Sequence, residues 1–253
     1  MSAAAATQRR GTAQRRAERA DRILAAAAEL VLRWGYDKTT IDDVARHAGV
    51  AKGTIYLHWR SREELFAALL RRDRTEMIDA VRRQVHQDPA RATLPGLFGL
   101  LVREIQRRPL LRAVMVQDSA VLGKLLARKR TSSTSHEMAA PFGEYLAKLR
   151  KHGLVRDELS TEDHLTVLGV VLHGSLVSPQ LLPEPLRVSE ERAGDLIGDL
   201  LERTFAPGRT PSDAARTAGA EATREFVDRA YTVARAKLRE SLGDDLPPEG
   251  EPS

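Results

Sequence analysis

The chain has 253 residues, 42% of them hydrophobic and 30% charged, an ordinary globular composition that suits a small domain joined to a medium one. It holds no cysteine, which excludes disulfides and thiolate metal sites. The net charge of +5 is uneven: residues 1–62 carry twelve Arg or Lys against six acids, or +6, and the remainder is near neutral at −1. A basic head on a neutral body is the pattern of a nucleic-acid-binding domain attached to something with another task, and a solvated basic tail is the plainer alternative. Apolar runs such as 167–172 fall far short of the ~20 residues that a membrane span needs, and no apolar signal core follows the N-terminal charges. A cytoplasmic protein is expected.

Residues 1–18 mix Ala, Ser, Thr, Gln and Arg without an apolar period and are expected to be a disordered basic tail. Its pairs Arg9-Arg10 and Arg15-Arg16 could enter a minor groove or simply aid solubility. From 20 to 34 the positions Ile23, Ala27, Leu30, Val31 and Trp34 form a helical stripe, closed by Gly35.

Residues 39–61 read as two short helices around a tight turn. Thr40, with Asp43 three positions on, is a capped helix start, and Ile41, Val44, Ala45 and Ala48 make one apolar stripe behind it. Gly49 falls where a left-handed residue ends that helix, and Val50 plugs the corner. At about 100° per residue, Ile55 and Trp59 face one way and Gly53, Thr54 and Leu57 the other, flanked by Lys52, Tyr56 and His58. The second face suits a helix laid in a major groove. Ser61 with Glu64 caps a third helix over 63–86, which leaves the small domain and enters the larger one.

Further helices are expected at Asp88-Pro89, over 94–105 with a bend at Pro95-Gly96, at Pro109, and within 122–152 with Gly153 as its cap. Ser160 with Asp163 opens a helix over 161–182 that is apolar nearly all round, and 189–205 forms another. A helix apolar on all sides must be covered twice. Leu165, Leu168, Leu172, Leu176, Leu196, Ile197, Leu200 and Leu201 are therefore expected to form a four-helix interface with a second copy, Gly169, Gly174 and Gly194 allowing close approach; the alternative is that these helices are monomer core. Residues 206–212 read as a linker, 213–242 as helix, and 243–253 as a disordered acidic tail. With no strand alternation, the fold class is all-α, divided as 19–66 (DNA-binding head), 67–206 (regulation and dimerisation) and 207–242 (linker and extra helix).

The run from Ile23 to Leu69 resembles the N-terminal domain of the tetracycline-repressor (TetR) family. The likeness rests on Gly35-Tyr36, Thr39-Thr40, Ala48-Gly49-Val50, Gly53-Thr54-Ile55-Tyr56 and Ser61-Arg62-Glu63-Glu64-Leu65. The resemblance implies a homodimeric regulator, most simply a repressor, that binds a palindromic double-stranded operator and is released by a small-molecule effector. Thr39, Thr40, Lys52, Tyr56, His58 and Arg62 would then meet the DNA backbone, while Gly53, Thr54 and Leu57 lie nearest the bases. Three positions depart from the family pattern: Ala51 for a common serine, Leu57 for a polar or aromatic reader, and Trp59 for the usual phenylalanine. Effector-pocket candidates are Met115, Gln117, Met138, Phe142, Tyr145 and His173, each of which also fits as an ordinary core residue. An activator, a member without effector, or a sequence-tolerant architectural DNA binder are the other readings. No His-Glu-x-x-His, Gly-x-Ser-x-Gly or phosphate-loop pattern is present, so neither catalysis nor a cofactor is expected.

Overall fold

The computed structural model describes residues 3–116, 118 and 134–242. Every regular element among them is helical: α1 (Ala3–Trp34), α2 (Ile41–Ala48), α3 (Lys52–Tyr56), α4 (Arg62–Gln87), α5 (Leu94–Gln106), α6 (Pro109–Met115), α7 (Thr134–Lys151), α8 (Thr161–Leu181), α9 (Glu190–Phe205) and α10 (Asp213–Leu242), with a 3-10 turn at Glu184–Leu186. The expected acidic tail, the part of the 122–152 helix before Thr134, and Gln117 lie outside the described residues. The chain forms two compact units. One comprises residues up to 75 with the end of α10 from 233; the other comprises 76–116 and 134–232.

In the first unit, α1 begins at Ala3, so residues 3–18 are helical where disorder is expected from the sequence. Lack of an apolar period there does not preclude a helix. Alanine, glutamine and arginine are strong helix formers, Gln14 pairs with Glu18 one turn on (3.1 Å), and Ala17 and Ala20 are buried. The core gathers Ile23, Leu24, Ala27, Leu30, Val31, Val44, Ile55, Trp59, Leu65 and Leu69. Tyr36 and Phe66 meet edge to face at 5.0 Å.

The second unit is held by Val85, Leu97, Leu100, Phe142, Tyr145, Leu146, Leu149, Leu168, Leu201, Phe205 and Val227. Asp88-Pro89 starts no helix: the Asp88 carboxylate accepts from the Ala90 amide (2.9 Å), making a turn. Helix α5 instead starts at Thr93, whose hydroxyl accepts from Gly96 N–H, and Pro95 sits in its first turn, where no bend is needed. Gly194 is not kept for a second copy, because α9 crosses α5 there so closely that a Cβ on Gly99 would lie 2.7 Å from the Gly194 carbonyl oxygen. The leucines expected at a dimer interface divide: Leu168, Leu176 and Leu201 are buried in this unit's own core, Leu172 and Ile197 are half-buried, and Leu165, Leu196 and Leu200 are exposed. Val170 is 68% exposed on the same α8.

Candidate nucleic-acid interface

Helices α2 and α3 are set by short-range chemistry. Thr40 Oγ1 accepts from the Asp43 amide (3.2 Å), and the Asp43 carboxylate accepts from both the Thr40 amide (3.2 Å) and hydroxyl (2.6 Å), completing a capping box. These bonds, with Arg46 adding to them, hold the Asp43 carboxyl below its usual range. At the other end Gly49 takes φ 65°, ψ 36°, with Gly49 N–H donating to Arg46 O (3.3 Å) and Val50 N–H to Ala45 O (2.9 Å), which turns the chain into α3. Helix α3 starts at Ala51 with no side-chain cap.

Ile55 and Trp59 anchor the underside of α3, while Lys52, Gly53, Tyr56 and Leu57 stand exposed and Thr54 and His58 are half-exposed. Leu57 is 74% exposed and Tyr56 46%. An ammonium, a phenol hydroxyl, a threonine hydroxyl and an isobutyl group on one protruding edge can meet phosphates and base edges alike. Around this edge carboxylates are already engaged: Lys52 Nζ reaches Asp42 at 2.8 Å, Arg46 reaches Asp43 at 2.5 Å, and the imidazole Nε2 of His47 lies 2.7 Å from Glu29. The hydrogen bond to Asp42 raises the Lys52 ammonium above its usual range, so it stays charged. Exposed pairs of this kind contribute about 0–1 kcal/mol, so a phosphate can displace the carboxylate at little cost.

Two expected contact residues are engaged in the head itself. Thr39 is fully buried, its hydroxyl donating to the Gly35 carbonyl (2.9 Å), which removes it from the exposed edge. Arg62 lays its guanidinium 3.9 Å from the Tyr36 ring centroid and donates to the Tyr36 carbonyl, bracing the Tyr36–Phe66 contact. Ser61 caps α4 by accepting from Glu64 N–H (3.1 Å), and the Glu64 carboxylate accepts from Arg60 N–H (2.8 Å).

Two further features escape sequence reasoning. Arg16, on the part of α1 expected to be disordered, donates to the Leu57 carbonyl (3.4 Å) at the end of α3. Trp59 Nε1–H donates to the Ser241 carbonyl (3.1 Å) in the last turn of α10, and Arg71 donates to the Ser241 hydroxyl. The tryptophan in place of phenylalanine is the one signal that a hydrogen-bond acceptor has to lie beneath α3, since a buried indole N–H requires one.

Of the expected effector residues, Phe142 and Tyr145 lie together, their ring centroids 6.0 Å apart. Phe142 and Tyr145 are buried in the larger unit's core, with Tyr145 stacked 4.9 Å from Phe226 and its hydroxyl hydrogen-bonded to Thr223 (2.9 Å). Burial pushes the Tyr145 phenol well above its usual range. Met138 is half-buried, Met115 is exposed at the end of α6, and His173 is exposed on α8. Among the described residues no three His, Asp or Glu side chains are grouped to hold a metal ion, and no helix is long and apolar enough to cross a membrane.

Residues 23–69 match the model of the family described as bacterial regulatory proteins, tetR family. The HTH-type transcriptional activator FasR of Mycolicibacterium smegmatis is 31% identical over 103 residues, which is 39% of this chain and 47% of that protein. An HTH-type transcriptional repressor of Mycobacterium tuberculosis is 28% identical over 182 residues, covering 68% of this chain and 88% of that protein. The solved structure of the fatty acid degradation regulator FadR of Bacillus halodurans superposes with a TM-score of 0.55 at 20% identity, over 72% of this chain and 94% of that one, a likeness of fold. This chain thus spans about half the length of the activator and most of the repressor.

Proposed function

We propose that this chain, whose residues 23–69 match the tetR family of bacterial regulatory proteins, is a transcriptional repressor that binds a palindromic operator as a homodimer and is released by a small-molecule effector. The observation that carries the DNA part is the α3 edge, Lys52, Gly53, Tyr56 and Leu57 exposed over an anchored Ile55 and Trp59. Lys52, Tyr56, His58 and the Thr40 cap supply backbone contacts; Gly53, Thr54 and Leu57 face the bases, Leu57 against a thymine methyl.

The dimer reading is supported by the apolar face left open on α8 and α9. Leu165, Val170, Leu196 and Leu200 are exposed in the single chain and Leu172 and Ile197 half-covered, large apolar side chains of the kind that an interface covers. Two copies would place their α3 helices about one duplex turn (~34 Å) apart, which calls for a palindromic site. Effector binding in the larger unit would bias the long helix α4 and spoil that spacing.

One specific observation favours a second reading. An activator and a repressor are both similar to this chain, so activation is the second reading. Selecting bound fragments from genomic DNA, then measuring transcription of the neighbouring gene with and without the protein, separates the two: transcription rises on removal of a repressor and falls on removal of an activator. A salt titration on the selected and scrambled DNA tests specificity as well. The proposal requires a gap of at least ~1000-fold that persists as salt rises, whereas an architectural binder would lose affinity alike on both.

A further inference from the structure

The larger unit opens a cavity of about 970 Å³ at a place the sequence does not advertise, between the start of α5, the end of α7, the end of α9, the 206–212 linker and the first turns of α10. Its volume lies in the range of small-molecule sites. The floor is apolar, with Leu149, Leu154, Val155 and Phe205, and Phe205 is fixed from behind by His164, whose ring stacks on it at 4.7 Å.

The polar part of the lining is cationic. Arg216 is paired with Asp213 at 2.7 Å, whereas Arg209 and Arg224 hold no carboxylate among the described residues. Arg209 rests against the end of α7, where the left-handed Gly153 leaves space for it: a Cβ there would lie 2.5 Å from the guanidinium. Glu202 is the carboxylate of the lining, exposed at the end of α9. Two guanidinium groups without acidic partners beside an apolar floor favour an anion attached to a hydrocarbon body, since a wholly apolar guest would leave the guanidinium groups desolvated and a wholly polar one would waste the floor.

We propose that this cavity binds a small amphiphile with a single anionic headgroup, the headgroup on Arg209 and Arg224 and the apolar body over Leu149, Leu154, Val155 and Phe205. The site is built largely from the linker and from α10, the part of the chain beyond the expected regulatory domain. That such a molecule is the effector rests on the ligand-released reading above; that it binds here does not.

The full-length protein titrated calorimetrically with decanoate, decyl phosphate and decan-1-ol tests the site. Either anion is expected to bind at least about 10-fold more tightly than the alcohol, and the double substitution R209A/R224A should abolish that preference. Whichever anion binds more tightly identifies the headgroup. Thr217→Trp, which places a bulky ring in the lining, should weaken all three ligands with an unchanged far-ultraviolet circular dichroism spectrum, and R209K should keep part of the preference. Absence of binding, equal affinity for acid and alcohol, or an unchanged preference in R209A/R224A overturns the site. Operator release by the bound anion is read separately. Binding without release leaves the site standing and removes the effector role, and release that persists undiminished in R209A/R224A leaves the regulatory reading standing but removes this cavity as its seat.

Discussion

Leu57 and Tyr56 are neighbours on one exposed edge, yet their chemistry assigns them different tasks. A phenol hydroxyl reaches a phosphate that every sequence offers, so Tyr56→Ala should weaken binding about 10-fold on all sites alike, measured by fluorescence anisotropy on several operators. An isobutyl group meets only apolar base surface, so Leu57→Arg should change which site is preferred, seen as an altered consensus in a DNA selection; an unchanged consensus would place Leu57 away from the bases. The same edge shows what a sequence can disclose. The facing of Ile55 and Trp59 against Leu57 follows from helical periodicity alone and matches their burial, whereas Thr39 and Arg62 are polar residues whose partners, the Gly35 carbonyl and the Tyr36 ring, are visible only in three dimensions. Asp43 carries the pH dependence of this edge. Its folded carboxyl is held below the usual 3.8 first by the Thr40 hydroxyl, so it favours the folded state at higher pH and loses that contribution as pH falls through and below that value. Urea midpoints of the wild type and Asp43→Asn should therefore converge toward pH 3 and differ at pH 7.

Helix boundaries were the most legible level, because caps are local. Thr40, Ser61 and Ser160 cap the helices their sequences announce, and Thr40→Ala should cost about 1 kcal/mol of stability. Long-range uses of a residue were not legible. Gly194 reads as a place for a second copy to approach, and it is Gly99 of the same chain that comes there; Gly99→Ala should lower stability by about 1–3 kcal/mol, because the neighbour is a backbone carbonyl that cannot rotate away. The end of α10 belongs with the DNA-binding head, a fact signalled only by Trp59. Trp59→Phe removes the donor to the Ser241 carbonyl and should destabilise the head by about 1 kcal/mol, while truncation after residue 232 should do more, as it also removes the buried Leu238 and Leu242. A thermal melt unaffected by the truncation would mean that the end of α10 is only laid on the head. The helical start of α1 was missed for a physical reason: propensity without burial gives no periodicity to read, and Arg16 at the Leu57 carbonyl is a contact that no spacing rule contains.

At the level of the whole molecule, a basic DNA-binding head is joined to a body proposed to pair with its copy and take a ligand. The exposed leucines of α8 and α9 are the proposed dimer contact, so L196E/L200E should shift sedimentation from dimer to monomer and weaken operator binding by the loss of one half-site, leaving helicity unchanged. Charge asymmetry made the head legible from the sequence alone, and the all-round apolarity of α8 pointed to a second covering surface. The effector side was the least legible. Candidates chosen for their chemistry, Phe142, Tyr145 and His173, are core or exposed residues, and the cavity is formed by three separate stretches, within 89–95, 149–155 and 202–224, that no single one reveals. The most direct test of the central claim is a selection of bound DNA from a random library with the purified full-length protein. The account predicts a palindromic consensus with half-sites about one helical turn apart, enriched by wild type and not by L196E/L200E; a selection that enriches no sequence, or a single unpaired half-site bound equally by both proteins, would contradict it.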